Sequence, residues 1–419
     1  MFSRQEKILL AILASIQFSS IVDFMIMMPL GPQLMRMFAI NPHQFGLLVS
    51  SYTFFAGVSG FAASFFMDKF DRKRSLLVFF LGFSIGTIAC GLSPTYETLL
   101  AARGLTGVFG GVLGSLVMSI VSDAISYERR GSAMGVVMTS FSLASVLGVP
   151  LSLFLANIWG WHSPFIVLGG LALLLCGVIA KAVPPMRAHL SGQTKEPIHR
   201  AVTRILQNPN QVKALIFMST VIFGHFAIIP FMSPSLVSNA GLTEAQLPLM
   251  YMCGGLFTIF TSPFIGRLAD RYGKHNVFFW GALLTIIPYF TITHLGPTPL
   301  WIVLCHTSFM FVVSGGRMIP ASAMVSGTST AQTRGSFMSI VSCVQQMASA
   351  LASYIAGVLI TKDANGHLVN YEIVGYIAIV TTFVALYLSR RIETVEGAPP
   401  KNPGSAKAAI PDSGDSLLH

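Results

Sequence analysis

The amino-acid sequence predicts an all-α membrane protein whose twelve transmembrane helices form two pseudo-symmetric six-helix bundles. Three observations predict this fold: the composition, the number of long apolar runs, and a repeat that relates the two halves of the chain. Of the 419 residues, 53% are hydrophobic and only 10% are charged, whereas a soluble domain carries about 25% charged residues. A chain with so little polar surface is expected to face lipid.

Twelve apolar runs are long enough to cross a bilayer, which takes about 20 residues. They lie at Ile8–Leu34, Gln44–Met67, Ser75–Ser93, Tyr96–Val121, Gly131–Ile158, Pro164–Val183, Ala214–Leu236, Gln246–Ile265, Val277–His294, Leu300–Val325, Gly335–Ile360 and Tyr371–Leu388. The chain therefore divides into a bundle of residues 1–183, a central loop of 184–212, a second bundle of 213–391 and a tail of 392–419. The tail is rich in Pro, Gly, Ser and Ala and is predicted to be disordered. Residues Pro197–Leu206 of the loop are predicted to form a short helix at the membrane surface.

The Lys and Arg residues are distributed unequally between the two sides of the predicted membrane. With the N-terminus placed inside, all but four of the 26 basic residues lie on the inner side, as the positive-inside rule requires. Arg36 and Lys362 lie outside, and Arg103 and Arg317 lie within spans. This distribution predicts that both termini are cytoplasmic, and it explains the net charge of +10 without nucleic acid. Short loops and the absence of an Asn-x-Ser/Thr sequon favour a bacterial cytoplasmic membrane.

A fixed offset relates the first half of the chain to the second. It is 202 residues for the pairs Asp23 and His225, Pro32 and Pro234, Asn41 and Thr243, and Asp68 and Asp270. Asn41 and Thr243 each precede a Gln by three positions, the capping-box pattern of a helix start. Two halves of the same orientation imply a pseudo-two-fold axis along the membrane normal, with a substrate site near mid-depth between them. Matching prolines predict that spans one and seven are interrupted, at Pro29 and Pro32 and at Pro230 and Pro234.

Several motifs resemble those of the major facilitator superfamily. The loop after span eight, Gly266–Lys274 (GRLADRYGK), matches the loop motif of that family closely, and Ser64–Lys73 after span two keeps its Asp and basic cluster. Arg103 and the glycines that follow it resemble a motif of proton-coupled members, and Gly148–Pro150 (GVP) resembles the antiporter motif. With Asp23–Pro29 (DFMIMMP), the chain is most similar to the drug:proton antiporter and sugar-efflux branch.

This resemblance implies the major facilitator fold and a secondary active transporter instead of an enzyme. It implies proton-coupled efflux of a small organic solute, drug-like or sugar-like, by alternating access. The expected partners are a small-molecule substrate, protons and the lipid bilayer, and the protein is expected to be a monomer without a cofactor.

Asp23 is the main candidate for proton coupling because it is the only acidic residue predicted in the middle of a span. A charge at the bilayer centre costs about 2.5–3.5 kcal/mol on insertion scales. A carboxyl group whose surroundings change from dry to wet, or from paired to unpaired, changes its proton affinity during a cycle. Arg103 is the expected partner, and a static ion pair between spans one and four is the alternative. His225, at the repeat position of Asp23, is either a second titratable group or a satisfied buried hydrogen bonder.

Seven residues are candidates for contact with the substrate: Phe24, Tyr52, Phe141, His306, Arg317, Gln345 and Gln346. The aromatic side chains are expected to line the cavity. His306 and Arg317 are eleven residues apart, about three turns, so they share one face of span ten. Arg317 either holds an anionic substrate or extends toward the inner surface. Unpaired amides are costly in an apolar environment, so Gln345 or Gln346 is expected to face the cavity.

Conformational gating is assigned to Asp68, Arg72, Asp270, Arg271, Gly148 and Pro150. Asp68 is expected near the helix that begins at Gly335, and Asp270 near the helix that begins at Gly131, because a carboxylate at a helix N-terminus gains about 0.3–1 kcal/mol. The family resemblance implies that such contacts hold one access state, and a charged turn that only fixes topology is the alternative. The glycines of span four are expected to allow close helix packing; they are Gly104, Gly107, Gly110, Gly111 and Gly114.

Other functional classes have less support. The sequence contains no HExxH and no Cys–His cluster, which argues against a membrane-embedded enzyme and predicts no metal site. An importer or facilitator that runs without protons, and a membrane sensor that no longer transports, remain alternatives. The charges of Asp23 and Arg103 within the membrane disfavour the sensor.

Overall fold

The structure, a computed structural model, describes residues 2–126, 129–187, 198–330 and 333–394, apart from the side chains of Asp68 and Ile198. Within these residues, twelve helices are long and apolar enough to cross a membrane, which confirms the predicted fold class. The first half contains α1 (Arg4–Ile26), α2 (Gly31–Met37), α3 (Pro42–Ala63), α4 (Arg72–Gly91), α5 (Tyr96–Ala124), α6 (Arg130–Leu143), α7 (Val149–Trp159) and α8 (Ser163–Ala182). The second contains α9 (Ile198–Gln207), α10 (Pro209–Ser238), α11 (Leu247–Tyr272), α12 (Lys274–Thr293), α13 (Leu300–Ser326), α14 (Arg334–Leu359) and α15 (Tyr371–Ser389). A two-stranded antiparallel hairpin, β1 (Thr361–Lys362) and β2 (Leu368–Val369), precedes α15.

The apolar cores show where the two halves are joined. We call the side of the membrane that carries the loops at 64–71 and 272–273 the basic end, and the opposite side the far end. At the basic end each half has its own core, with Phe80 and Val117 in one and Phe217 and Phe278 in the other. At the far end a single core takes residues from both halves, among them Leu34, Phe45, Phe231 and Tyr251. The halves therefore share one core at the far end and have separate cores toward the basic end, although α3 and α14 still touch as far as Gly57 and Gly60.

The pair formed by α7 and α11 shows this separation directly. A Cβ placed on Gly255 would lie 3.1 Å from the carbonyl oxygen of Ser145, so the halves touch there. Gly266 is eleven residues from Gly255, on the same helix face, and a Cβ placed on it would have nothing within 4 Å. The same is true of Gly131 at the start of α6. The space between the halves is thus open toward the basic end on this side.

Span one is interrupted as predicted, but span seven is not. A turn at Met27–Leu30 separates α1 from α2, and Pro32 lies in the first turn of α2, where a missing N–H is tolerated. By contrast, α10 continues through Pro230 and Pro234, so the prediction for span seven was wrong. Proline removes the donor to the carbonyl four residues earlier, which for Pro230 is the carbonyl of Phe226. The Ser353 hydroxyl of α14 donates to that oxygen at 3.5 Å, so α14 supplies the missing partner.

Local sequence signals start several helices as expected. The side chain of Asn41 accepts from the backbone N–H of Gln44 at 2.8 Å, and the Gln44 side chain accepts from the N–H of Asn41 at 3.0 Å. Thr243 and Gln246 form the equivalent box in the second half. The helix predicted at the membrane surface is present as α9, and its apolar face is buried against the second half through Ala201 and Ile205.

Candidate functional site

A buried ion pair joins α1 and α5 in the first half. The Nη1 of Arg103 donates to Oδ2 of Asp23 at 2.8 Å, and the Thr87 hydroxyl of α4 donates to Oδ1 at 3.1 Å. The Asp23 side chain is completely buried and that of Arg103 is 1% exposed. Both carboxylate oxygens therefore have donors in an apolar environment, as a buried charge requires. Within the described part of the chain, the Nε of Arg103 has no hydrogen-bond partner.

Glycines of α5 let Tyr52 of α3 reach this pair. A Cβ on Gly107 would collide with the backbone carbonyl of Tyr52, and a Cβ on Gly111 would collide with that of Ala56. The two helices therefore approach backbone to backbone, as small residues permit. The Cζ of Arg103 lies 4.4 Å from the centre of the Tyr52 ring, within cation–π range.

Phe24 connects the ion pair to the junction between the halves. Its ring stacks on that of Tyr52, with centroids 5.5 Å apart, and lies 5.8 Å from the ring of Phe226 on α10. Asp23 is the neighbour of Phe24 in the chain, so it lies next to a residue that contacts the other half. A movement of the halves that separates Phe24 from Phe226 would change the surroundings of Asp23.

A second polar cluster occupies the equivalent place in the second half. The Nη2 of Arg317 donates to the Tyr289 hydroxyl at 2.7 Å, and that hydroxyl lies 3.4 Å from Nδ1 of His225. Arg317 is 1% exposed, and its remaining hydrogen bonds are to neutral oxygens, the carbonyl of Val221 and the hydroxyl of Thr382, each at 3.4 Å. Its Cζ also lies 5.3 Å from the centre of the Tyr289 ring. Arg317 therefore lies within the second bundle, and in this structure it neither lines the space between the halves nor extends to the membrane surface.

The other candidate substrate residues are spread over several helices. His306 forms a hydrogen bond with Thr291 of the adjacent α12. Gln345 and Gln346 are half-buried on α14 and make no hydrogen bond with any described residue. Phe141 is 56% exposed and lies one turn from Ser145, whose backbone contacts Gly255 of the other half.

Two gating candidates at the basic end, Asp270 and Arg271, make no hydrogen bond or ion pair across the halves with a described residue. The Asp68 side chain lies outside the described residues. Asp270 is exposed and forms no ion pair or hydrogen bond with a described residue, while Arg271 lies over the ring of its neighbour Tyr272. Arg72 is buried, and its Nε donates to Asp123 within the first half at 3.0 Å. The latch expected between the halves is therefore not formed at Asp270, in keeping with the open basic end.

The Gly148–Pro150 segment forms a local irregularity at the contact between the halves. Residues Ala144–Gly148 form a π-helical turn, a feature that often marks functional positions in helices. A Cβ on Gly148 would collide with the Val22 side chain of α1, and the preceding Ser145 and Val146 touch Gly255 of α11. The turn thus packs against α1, next to Asp23, and against the other half.

A cross-half ion pair at the far end was not predicted. Arg36 of α2 binds both carboxylate oxygens of Glu244, the second at 3.1 Å, and Asn157 donates to the Glu244 carbonyl at 3.4 Å. The hydrogen bond to Glu244 raises the pKa of Arg36, which keeps the pair charged. Because Arg36 is 64% exposed, the pair contributes at most about 1 kcal/mol. The pair and the shared apolar core together hold the two halves in contact at the far end.

A groove of about 1310 Å³ lies beside α3 and α14. Its lining is mostly apolar, with Phe54, Phe55 and Met347, and it includes Glu97. Asp23, Arg103 and Arg317 do not line it. We assign the functional site to the buried polar clusters and the junction between the halves, because the paired charges lie there and not in the groove. No group of three or more His, Cys, Asp or Glu residues suited to a metal occurs in the described part of the chain.

Comparison with known proteins agrees with this architecture. A family model described as Major Facilitator Superfamily matches residues 13–322 and, in a second match, 214–414. The chain is 24% identical over 353 residues to the MFS-type transporter YceJ of Bacillus subtilis (strain 168), covering 82% of this chain and 87% of that protein. It is 24% identical over 253 residues to a probable sugar efflux transporter of Helicobacter pylori (strain G27), covering 60% of this chain and 63% of that protein.

The fold is also that of solved transporters. The structure of a bacterial homologue of the human lysosomal transporter Spinster, inward-facing and unoccupied, superposes with a TM-score of 0.72 at 14% identity, covering 94% of this chain and 98% of that one. The twelve spans, the two bundles and the family match lead to one conclusion. The chain belongs to the major facilitator superfamily, and it is a multi-pass membrane transporter.

Proposed function

We propose that this transporter exports a small organic solute, drug-like or sugar-like, in exchange for protons by alternating access. The observation that carries the proposal is the buried Asp23–Arg103 pair beside the junction of the halves. A carboxylate held by one cation and one hydroxyl gains a proton readily when either partner is withdrawn. The similarity to probable sugar efflux transporters supports the direction and the sugar-like class.

The cycle follows from the open basic end. With the basic end placed in the cytoplasm, together with both termini, the described state presents the space between the halves to the cytoplasmic solute. Closing that end and opening the far end requires the Arg36–Glu244 pair and the shared far-end core to separate. Phe24 and Phe226 lie at the centre of this movement, so the surroundings of Asp23 change as the halves rock. Protonation from outside and deprotonation toward the cytoplasm then accompany each export step.

Substrate-driven proton movement in proteoliposomes tests this proposal. The purified protein is reconstituted with a trapped pH-sensitive dye, and a panel of monosaccharides, organic acids and drug-like ions is added outside. At least one solute is expected to move protons in the opposite direction to itself. Solute flux with no proton movement under an imposed pH gradient would favour the facilitator or importer, and no flux of any solute would favour the sensor.

We also propose that Asp270 acts when the basic end closes. It is unpaired here, and closure would bring it toward the start of α6, where its carboxylate would meet the exposed N–H groups of the helix. Asp270→Asn is therefore expected to slow turnover between about twofold and thirtyfold, the range equivalent to about 0.3–2 kcal/mol. Solute affinity should stay the same, because the residue does not touch substrate.

Glu393→Gln is the matched control for this variant. Glu393 is also an exposed acid at the basic end, and its side chain makes no hydrogen bond with a described residue. Turnover measured as exchange across proteoliposomes should be unaffected in the control. Equal turnover in Asp270→Asn and the wild type would remove Asp270 from the gate.

A further inference from the structure

The two buried polar clusters are built on corresponding helices but differ in charge. Asp23 and His225 are 202 positions apart, and so are their hydroxyl partners Thr87 and Tyr289. Each cluster also takes an arginine from the fourth span of its half. The first cluster contains its own carboxylate and is neutral. In the second, histidine replaces the acid, and the arginine keeps its charge without a counter-ion.

Arg317 is therefore a buried cation with an unmet electrostatic requirement. Among the described residues it has no carboxylate partner, and its three acceptors are neutral oxygens. In the described part of the chain, neither its Nε nor the buried hydroxyl of Ser314, one turn away on α13, has a hydrogen-bond partner. A buried guanidinium is strongly disfavoured unless an anion pairs with it.

Groups of the cluster that can donate hydrogen bonds are left without an acceptor among the described residues. The Tyr289 oxygen accepts from Arg317, and its contact with Nδ1 of His225 runs in either direction, depending on the imidazole tautomer. In both cases the Nε–H of Arg317 and the hydroxyl of Ser314 have no partner among the described residues. Nε2 of His225 makes no hydrogen bond with a described residue, and when it is protonated it is a third free donor. Free hydrogen-bond donors around one fixed positive charge are what an anion-binding site requires.

The cluster adjoins the junction of the halves. His225 is half-buried and directly precedes Phe226, which meets Phe24 at that junction. Tyr289 links His225 to Arg317 through two hydrogen bonds. His225 is therefore the member of the cluster that is nearest in the chain to the contact between the halves.

We propose that His225, Tyr289, Ser314 and Arg317 form an anion-binding site in the second half, which takes a carboxylate, a phosphate or a halide. Its occupant is either an inorganic co-ion or the anionic group of the exported solute, and the second of these rests on the proposed transport function. In this scheme Asp23 binds protons in the first half, and Arg317 binds an anion in the corresponding cluster of the second half.

Thermal unfolding of the full-length protein in detergent tests this site without transport. A ligand that binds only the folded state raises the unfolding temperature. Potassium chloride, phosphate and benzoate are compared, with benzamide as the uncharged equivalent of benzoate. At least one anion is expected to stabilise the wild type, and benzamide is expected to have no such effect. Arg317→Gln should weaken that anion at least about tenfold, since removing one member of a buried charge pair has large effects.

Three further variants keep the test decisive. Arg391→Gln removes an exposed arginine elsewhere and should leave the anion effect intact. Arg317→Lys keeps the charge and is used if Arg317→Gln does not fold; it should bind with intermediate affinity. Asp23→Asn should keep the anion effect, so a failure of proton coupling does not remove this site. Stabilisation by chloride alone supports an inorganic co-ion, and stabilisation by benzoate supports a carboxylate of the solute. The proposal is overturned if no anion stabilises the wild type more than benzamide does, or if Arg317→Gln keeps the full effect.

Discussion

Asp23→Asn is expected to abolish accumulation of the exported solute against a gradient while leaving exchange between equal compartments. The amide keeps the size of the side chain: its oxygen can still accept from Arg103, and its NH2 can donate to the Thr87 hydroxyl, which turns from donor to acceptor. It cannot bind and release a proton, so the movement of the halves is no longer tied to the proton gradient. In proteoliposomes the accumulation ratio should fall to about one, with equilibrium exchange retained.

Stability has to be separated from coupling in this variant. Removing one member of a buried ion pair costs about 3–5 kcal/mol, because the other charge is left uncompensated, whereas removing both is often neutral. The double variant Asp23→Asn with Arg103→Gln is therefore the control: it should recover thermal stability and remain uncoupled. If Asp23→Asn sustains full proton-driven accumulation, the coupling site lies elsewhere, and His225 is the next residue to test.

The spans and the ion pair could be predicted from the sequence because a lipid environment restricts which residues can occur within a span. A span requires a long apolar run, so all twelve spans were located, most of their ends to within about four residues. Charged residues are costly within such runs, so Asp23 and Arg103 stood out. Their distance could not be derived from the sequence, but repeat symmetry and the cost of isolation both favoured pairing.

The hydroxyl partners could not be predicted in the same way. Thr87 and Tyr289 complete the two clusters, yet hydroxyls are common in these helices and most bond within their own helix, as Thr106 does with the carbonyl of Ala102. Only the packing of α4 and α12 selects these two. The repeat offset, which links Thr87 to Tyr289 as it links Asp23 to His225, was the signal available in the sequence.

The proline prediction failed for a related reason. Whether a proline breaks a helix depends on whether the carbonyl it leaves finds another donor. For Pro230 that donor is Ser353, more than a hundred residues away in the chain. The Arg36–Glu244 pair could not be predicted from the sequence either, because its two residues meet only when the far end is closed.

The close approach of α3 and α5 gives the second prediction with a large expected effect. Gly111→Ala is expected to lower stability by about 1–3 kcal/mol, the usual cost of overpacking, and to reduce coupled transport. The added methyl group would lie 2.5 Å from the Cα of Ala56 and in collision with its carbonyl. These are backbone atoms, which cannot rotate away, so the helices must separate. Tyr52, four residues from Ala56, would then shift from its place over Arg103.

Gly114→Ala provides the matched control for this prediction. It is the same change three residues along α5, and there the added methyl group would meet only the Gln17 side-chain oxygen, at 4.0 Å. Because alanine favours a helix over glycine by about 1 kcal/mol in aqueous hosts, this variant should be as stable as the wild type or more so. Thermal unfolding in detergent and substrate-driven proton flux measure both effects. Equal stability and flux in the two variants would show that α3 and α5 are not held as closely as the structure places them, and the positioning of Tyr52 over Arg103 would lose its support.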